Sequence, residues 1–383
     1  MIKHIYEFKT EIPATALVGQ GLDPQNCIFF DIETTGFRAA SSHLYLIGAA
    51  VLKYPPAEDF SCWEITQWLG ELPLQEAELL RAFAVFLEPH QTILHFNGAR
   101  FDIPYLEEKY EAYQLPSPFS GRRSVDLYQD FRPLKQLLGL THMNQKSLEL
   151  FLGLNRDDQY DGGRLIPIYR KYVQTLNPKL LDLLLLHNRE DVSGMLSLTS
   201  LYSYLAFLHS FITPDPECNN GCPPAAIPIV EAKLITGSNG SLDLLLSFAL
   251  PCSVPVPFSS LTSYGYLSLQ DDTGRLLVPV LQDTLYYFFP NYRDYYYLPE
   301  EDQAIHKSVA AYVDKDHRRQ ATAKTCYIHQ AGAFLPQPKD MFTPALRRSF
   351  QDHRSWFALS EEWLHDRAQL GAYLCMLLQD LYT

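Results

Sequence analysis

The stretch CIFFDIETTGF, residues 27–37, constrains the fold most, because it joins a buried segment to two acidic residues. Four apolar residues predict a buried strand that ends at Asp31, and the chain turns at Gly36. Side chains two apart in a strand point to the same face, so we expect Asp31 and Glu33 to bring two carboxylates together beside a core. Buried negative charges require positive compensation. The stretch therefore predicts a bound cation.

Two further stretches place acidic residues beside apolar segments. NGARFD puts Asn97 and Asp102 between a predicted strand and its following helix. HNREDV puts His187 four residues before Asp191 in a helical run, so both side chains share one helix face. Mg²⁺ and Mn²⁺ prefer oxygen ligands, and carboxylates that bridge two such ions form the usual site of phosphoryl transfer. The sequence therefore predicts that four acidic residues converge on two divalent cations: Asp31, Glu33, Asp102 and Asp191.

Length and composition limit the classes of protein that this chain can represent. The 383 residues predict two domains, and 47% hydrophobic with 20% charged residues is typical of a globular protein. The N-terminus lacks a secretory pattern and the apolar runs are too short for a membrane helix, which predicts a cytoplasmic protein without membrane contact. The net charge of −13 makes long-range capture of nucleic acid unfavourable. Bound cations and local arginines would have to supply the positive charge.

The order of predicted elements favours an α/β domain over residues 1–210. Three candidate strands are separated only by short turns, so an antiparallel start of the sheet is expected. These strands are predicted at 27–31, 43–54 and 60–69. They are followed by an amphipathic helix at 74–89 and a further strand at 91–96.

The composition changes in the second half of the chain. Residues 211–228 are rich in Pro, Asn and Gly, which predicts a linker. Residues 229–383 predict a smaller, β-rich α+β domain with a hairpin that turns at 272–274. Two helices are expected there, at 302–314 and at 360–382, and Ser360 is the expected N-cap of the second.

The acidic motifs, taken together, resemble a known superfamily. DIE, NGARFD and HNREDV resemble the three motifs of the DEDD (DnaQ-like) 3′–5′ exonucleases, which have a ribonuclease H-like fold. The run from KSLELFLGLN to LLLHNREDV resembles bacterial YprB-type ribonuclease H-like proteins. The resemblance covers about residues 25–205 and implies a mixed sheet flanked by helices. Residues 291–327 resemble an uncharacterised Firmicutes domain, which implies no function.

The resemblance implies a metal-dependent 3′–5′ exonuclease. Such an enzyme releases nucleoside 5′-monophosphates from a single-stranded 3′ end of DNA or RNA with two Mg²⁺ or Mn²⁺ ions. Asp31, Glu33 and Asp191 would hold one ion, and Asp31 with Asp102 would help to hold the second. His187 would orient or deprotonate the attacking water.

The resemblance also implies substrate contact for residues that border the terminal nucleotide. Each has a simpler alternative, because turns and packing use the same residue types. These residues are Thr34, Thr35, Asn97 and Phe101. For Asn97 a turn with Gly98 is at least as good an interpretation, and for Asp126 a structural hydrogen bond is favoured.

The third motif departs from the family pattern. The family has either Tyr four residues before the last Asp or His five residues before it, whereas this chain has His187 at the Tyr spacing. The alternative function is therefore a catalytically weak or inactive scaffold that binds nucleic acid or a protein partner. Four carboxyl groups around one metal pair would favour the enzyme, and a Lys or Arg among them would favour the scaffold. The sequence predicts no oligomeric state.

A basic cluster beside tyrosines marks the second half of the chain. Aromatic rings next to cations can hold single-stranded nucleic acid by stacking. Such residues more often form a solvated face over an aromatic core, and we favour that interpretation here. The cluster consists of Lys315, Arg318, Arg319 and Lys324.

Overall fold

The computed structural model describes residues 1–55, 60–158, 160, 162–212, 227–237 and 240–381. Two compact units make up the chain. Unit 1 comprises Met1–Leu205 and Val254–Val256, and unit 2 comprises Ala206–Ser253 and Pro257–Thr383. Most of the predicted linker, 213–226, lies outside the described residues.

Unit 1 is built on one mixed sheet of six strands. In chain order they are β1 (Ile2–Thr10), β2 (Cys27–Thr34), β3 (Leu44–Leu52), β4 (Ser61–Leu69), β5 (Thr92–His95) and β6 (Arg123–Asp126). Their order in the sheet is β1-β4-β3-β2-β5-β6, antiparallel from β1 to β2 and parallel from β2 to β6. The predicted antiparallel start from β2 to β4 is confirmed, and β1 is an additional edge strand.

Helices cover both faces of this sheet. The helices that begin in unit 1 are α1 (Thr15–Val18), α2 (Glu76–Leu87), α3 (Asp102–Ala112), α4 (Leu127–Phe131), α5 (Leu134–Leu137), α6 (Gln145–Phe151), α7 (Gly162–Thr175), α8 (Pro178–Leu198) and α9 (Tyr202–Ile212). Buried side chains of α2 and α3 form one core with β2, and those of α7 and α8 form another with β3. In the second core the rings of Tyr45 and Tyr169 stack with centroids 4.0 Å apart.

The alternation of β2 places its two acids on the α8 side of the sheet. Ile28, Phe30 and Ile32 pack into the core with α2 and α3. Asp31 and Glu33 therefore point to the opposite face. The strand does not end at Asp31 as predicted, because pairing with β3 continues through Thr34.

Unit 2 is β-rich, as expected. Its strands are β7 (Ile229–Thr236), β8 (Leu242–Ala249), β9 (Phe258–Leu261), β10 (Tyr266–Gln270), β11 (Thr273–Pro279), β12 (Leu281–Phe288), β13 (Tyr295–Leu298), β14 (Gln303–His306), β15 (Arg319–Gln320), β16 (Tyr327–Gln337) and β17 (Ser355–Ala358). They form three antiparallel sheets, ordered β7-β8-β11-β10-β9, β12-β16-β17 and β14-β13-β15. The helices are α10 (Lys307–Ala310), α11 (Glu361–His365) and α12 (Arg367–Leu378).

Local predictions in unit 2 have mixed outcomes. The predicted hairpin forms from β10 and β11, but it turns at 271–272 rather than at 272–274, because Thr273 and Gly274 already pair within the hairpin. The helix expected at 302–314 is wrong over most of its length, because β14 pairs with the tyrosine-rich β13 and only α10 is helical. The helix expected at 360–382 is interrupted at Asp366, whose side chain caps α12, while Ser360 caps α11 as predicted. Within the described residues, no helix has the length and apolar character needed to cross a membrane.

Candidate active site

Helix α8 lies against the acidic face of β2 and contacts Asp31 through an asparagine. Asn188 Nδ2 donates to Asp31 Oδ2 at 2.9 Å, and Gln67 Nε2 on β4 donates to Asn188 Oδ1 at 2.7 Å. Gly48 is the cross-strand partner of Asp31, and it leaves the space that the Asn188 amide occupies. The Asp31 carboxylate is thus oriented by a buried chain of amides.

Gly48→Ala is expected to destabilise the protein, because its Cβ would lie 2.0 Å from Asn188 Oδ1. Forced overpacking of this kind costs about 1–3 kcal/mol. The free energy of unfolding, measured by chemical denaturation, should fall by that amount. In an Asn188→Ala background the same substitution should cost much less, because the clashing atom is absent. Equal costs in both backgrounds would contradict this account of Gly48.

The buried imidazole of His187 joins three carboxylates. Nε2 lies 3.3 Å from Glu33 Oε1 and 3.2 Å from Asp191 Oδ2, while Nδ1 lies 2.7 Å from Asp158 Oδ2. One ligand atom each of Glu33, His187 and Asp191 falls within 4.8 Å of the other two. The spacing of four residues on α8 therefore places His187 and Asp191 together beside Glu33.

Asp158 was not predicted from the sequence. Burial raises the pKa of Asp158, but the amide of Tyr160 and the His187 ring outweigh that effect, so the pKa is lowered overall. Lys146 Nζ lies 3.5 Å from the same carboxylate, and Glu190 accepts from the Asp158 amide at 3.0 Å. The pairing joins a loop to a helix 29 residues later, so local spacing could not reveal it. Asn188 could have been found, because it shares a helix face with Asp191.

Asp102 occupies the first turn of α3, as predicted. Burial raises its pKa to about 7, although the amides of Asp102 and Ile32 oppose the shift by hydrogen bonding to the carboxylate. A Cβ at Gly98 would lie 2.9 Å from Asp102 Oδ2, so glycine permits the close approach of this turn. The buried carboxyl of Asp102 therefore titrates in the neutral range.

The predicted acids interact strongly with one another. Burial raises the pKa of Asp31 well above its usual range, and the charges of Asp191, Glu33 and Asp102 raise it further. Burial also raises the pKa of Glu33, with further contributions from Asp191 and Asp102. Such mutual repulsion between buried carboxylates is relieved when a divalent cation binds between them.

The donor set fits a hard divalent cation. It consists of carboxylate oxygens with one imidazole nitrogen at its edge, which is chemistry that Mg²⁺ or Mn²⁺ accepts. Within the described part of the chain, no Lys or Arg forms an ion pair with Asp31, Glu33 or Asp102. Among the described residues, only the imidazole of His187, beside Glu33, offers these three acids a basic partner.

Arg156 is the basic side chain that reaches the site. It donates to Asp191 Oδ1 and to both carboxylate oxygens of Glu149. Gln145 Nε2 donates to Asp191 O at 2.7 Å and to Glu149 Oε1 at 2.9 Å. Gly194 makes room for this network, because a Cβ there would lie 1.9 Å from Glu149 Oε1. Arg156 thus fixes one oxygen of Asp191 and leaves the other beside His187.

The four predicted substrate-contact residues lie in turns or packed positions next to the acids. Thr34 Oγ1 donates to Gly36 O at 2.8 Å, and Thr35 Oγ1 accepts from the His43 amide at 2.8 Å. Asn97 adopts a left-handed φ of 60°, and its backbone N–H donates to Asp126 Oδ1 at 2.8 Å.

Phe101 forms an aromatic pair that the sequence did not predict. Its ring centroid lies 6.0 Å from that of Phe37, which is 87% exposed. An exposed large ring held against a second ring offers a face on which a base can stack. Phe37 follows the DIETTG stretch directly, so its position in the sequence could have drawn attention to it.

Comparisons with known proteins give a family match and similarities to solved structures. Residues 28–205 match the RNase_H_2 family model of the RNase_H superfamily. No curated protein matches the chain. Among solved structures, a family B DNA polymerase from the archaeon Pyrobaculum calidifontis is 15% identical, with a TM-score of 0.38, and the match covers 70% of this chain and 34% of the polymerase. The zinc-bound E. coli ExoI–ssDNA complex is 16% identical, with a TM-score of 0.25, and the match covers 41% of this chain and 42% of ExoI.

The family match and the mixed six-stranded sheet together define a ribonuclease H-like fold. The predicted fold class, with helices on the sheet and additional β-rich sheets, is thereby confirmed. The aligned parts span about a third of the polymerase and less than half of ExoI. The resemblances to YprB-type proteins and to a Firmicutes domain stay predictions.

Proposed function

We propose that the protein is a metal-dependent 3′–5′ exonuclease that acts on single-stranded ends of DNA or RNA. The observation that carries the proposal is the set of mutually repelling carboxylates on β2, α3 and α8, three of which pair with no Lys or Arg among the described residues. A scaffold gains nothing from such charge, whereas a site for divalent cations requires it.

Four acids would hold two Mg²⁺ or Mn²⁺ ions: Asp31, Glu33, Asp102 and Asp191. When bound, the ions supply the positive charge that favours ionisation of water and departure of the 3′-oxygen. Asp31 is the natural shared ligand, because its pKa responds to the charges of the other three acids. All four acids lie in unit 1. We therefore propose that the predicted 1–210 domain carries the whole catalytic site.

His187 and Asp158 would handle the proton. Asp158 Oδ2 is placed to accept Nδ1–H, which leaves the Nε2 lone pair directed at the edge shared by Glu33 and Asp191. A water at that edge would lose its proton to Nε2 as it attacks phosphorus. Asp158 is a positioning residue in this scheme, because it acts through the ring.

The substrate end would lie across the turn after β2 and the start of α3. Phe37 and Phe101 offer exposed ring surface for the terminal base, and stacking of this kind tolerates any sequence. Thr34, Thr35 and Asn97 would border the same nucleotide. Because none of these contacts separates ribose from deoxyribose, we propose both DNA and RNA as substrates.

Arg156 adds a structural observation in favour of the inactive-scaffold alternative, beside the departure of His187 from the family pattern. An arginine on a metal-ligating carboxylate competes with a cation for that oxygen. Arg156 contacts Asp191 on the oxygen that faces away from His187, and it is also held by Glu149. We therefore prefer an anchoring role, in which Arg156 fixes the orientation of Asp191.

Oligonucleotide cleavage tests the proposal directly. Single-stranded DNA and RNA labelled at the 5′ end are expected to give ladders that shorten from the 3′ end with Mg²⁺ or Mn²⁺. EDTA should stop the reaction, and the released product should be a nucleoside 5′-monophosphate. Oligonucleotides blocked by a 3′-terminal phosphorothioate linkage are the matched control and should be degraded more slowly. Equal degradation in EDTA, or no degradation with either ion, would contradict the proposal.

A further inference from the structure

One face of the β12-β16-β17 sheet in unit 2 carries a group of aromatic rings. Phe288 on β12 lies opposite Tyr327 on β16, and Tyr286 lies opposite His329. Residues two apart in a strand share a face, so the four rings form one surface. The ring centroids of Phe288 and Tyr327 are 5.4 Å apart, and those of Tyr286 and Tyr327 are 4.9 Å apart. The pairing of β12 with β16 therefore builds a rigid aromatic floor.

Two cavities of about 400 Å³ each lie on unit 2 and share the side chain of Arg348. The first cavity lies over the aromatic floor and is also lined by Lys324 and Phe350. The Phe350 ring is 45% exposed and packs against Phe288 at 5.5 Å. The second cavity is lined by Arg354 and Trp356, among others. Leu281, Pro336 and Trp356 of the second cavity lie on the opposite face of the sheet from the rings of the first. We therefore call only the first cavity the aromatic groove.

Positive charge is distributed along the two cavities. The Arg348 guanidinium lies 5.5 Å from the Trp356 ring centroid, and Arg354 lies 5.9 Å from that of Tyr264. Lys324 and Arg354 form no ion pair with a described residue. Arg348 has one weak pair, with Nε 3.7 Å from an oxygen of Asp283. Three exposed cations thus stand beside aromatic rings without close acidic partners.

The sequence-based interpretation of the basic cluster holds only in part. Arg318 lies over the ring of Tyr296 and donates to a backbone carbonyl, so it belongs to a packed face as we favoured. Lys324 differs, because it lines the first cavity. The second cation of the first cavity, Arg348, follows in the chain after β16.

We propose that the aromatic groove binds single-stranded nucleic acid, with bases stacked on the rings and phosphates beside the cations. Rings with cations beside them match the base and phosphate of a nucleotide, and base–aromatic stacking needs no sequence readout. An acidic peptide could use the cations but has no flat group for the exposed faces of Phe288, Tyr327 and Phe350. The inference is independent of the proposed cleavage, because every residue of the groove lies in unit 2.

Fluorescence anisotropy of a labelled oligodeoxythymidine with the full chain in EDTA tests the proposal, since no cleavage is expected there. Phe350→Ala should weaken binding by about tenfold, the effect of losing one stacked base. The double variant Lys324→Ala/Arg348→Ala should weaken binding further. It should also make the slope of log binding constant against log salt concentration shallower by about 1.4. The matched control is Lys233→Ala/Lys307→Ala, which removes two exposed cations elsewhere in unit 2 and should leave binding unchanged.

A crosslinking readout locates the contact. Photocrosslinking of an oligonucleotide that carries 5-iododeoxyuridine should attach it to peptides that contain Phe288, Tyr327 or Phe350. Unlabelled polyglutamate should compete poorly. Circular dichroism of each variant checks that the fold is retained, and the two-cation variant keeps the test valid if Phe350→Ala does not fold. The proposal is overturned if the wild type does not bind at low salt, if the control variant weakens binding equally, or if polyglutamate competes as well as nucleic acid.

Discussion

Asp31→Asn is expected to abolish cleavage and, at the same time, to stabilise the protein in the absence of metal. A ligand shared by two cations contributes several kcal/mol to the transition state, so the rate should fall by about 10³-fold or more. The amide keeps the shape of the carboxylate and can still pair with Asn188. The loss of activity would therefore report the lost charge rather than a damaged fold.

The stabilising effect follows from the raised pKa of Asp31. Burial and the neighbouring acids hold this pKa well above its value in the unfolded chain. A carboxyl whose folded pKa is raised binds its proton more tightly in the native state, so stability falls as the pH rises above the unfolded value near ~4. The neutral amide avoids this cost. In EDTA at pH 8 the melting temperature of Asp31→Asn should exceed that of the wild type by about 2–6 °C.

The pH dependence separates this mechanism from general stabilisation. The difference in melting temperature should shrink as the pH falls towards and below ~4, where Asp31 becomes protonated in the unfolded as well as in the folded state. Glu107→Gln is the matched control, because Glu107 is an exposed acid on α3, and its melting temperature should follow the wild type. Mn²⁺ should stabilise the wild type more than Asp31→Asn. A variant that retains cleavage, or that is less stable than the wild type at pH 8, would refute the assignment of Asp31.

The sequence predicted the elements that carry the site, but not the contacts that complete it. Period-two alternation placed Asp31 and Glu33 on one face, and helical spacing placed His187 with Asp191. Asp158 stayed hidden, because its contact with the site depends on how the loop after α6 packs on α8. Such pairings follow from tertiary structure, and no local pattern encodes them.

The same limit explains the errors in unit 2. The segment at 302–314 contains residues that suit a helix, yet β14 forms there because the edge of β13 needs a hydrogen-bonding partner. Tertiary pairing therefore overrides weak local propensity. Strong local features, such as the Ser360 cap and the existence of the β10–β11 hairpin, were predicted correctly because nearby residues alone determine them.

His187→Ala is expected to reduce the rate of cleavage by about 10²–10⁴-fold, the usual contribution of a positioned general base. The imidazole is 4% exposed and its two nitrogens face three carboxylates, so the site gives it one orientation. Asp158→Asn should reduce the rate less, because the ring remains and only its orientation is weakened. His187→Tyr should retain more activity than His187→Ala, because a hydroxyl at this spacing can still orient water.

Two further measurements distinguish a base from a metal ligand or a packing residue. If His187 acts as a base, His187→Ala should bind Mn²⁺ with nearly unchanged affinity in a calorimetric titration, and its rate should depend less on pH than that of the wild type. A large loss of Mn²⁺ affinity would instead make His187 a ligand beside Glu33 and Asp191. His142→Ala, which removes an exposed histidine of unit 1, is the control and should match the wild type in both measurements. If His187→Ala also matches the wild type in rate, His187 only neutralises the buried carboxylates around it, and the proton must leave the water by another route.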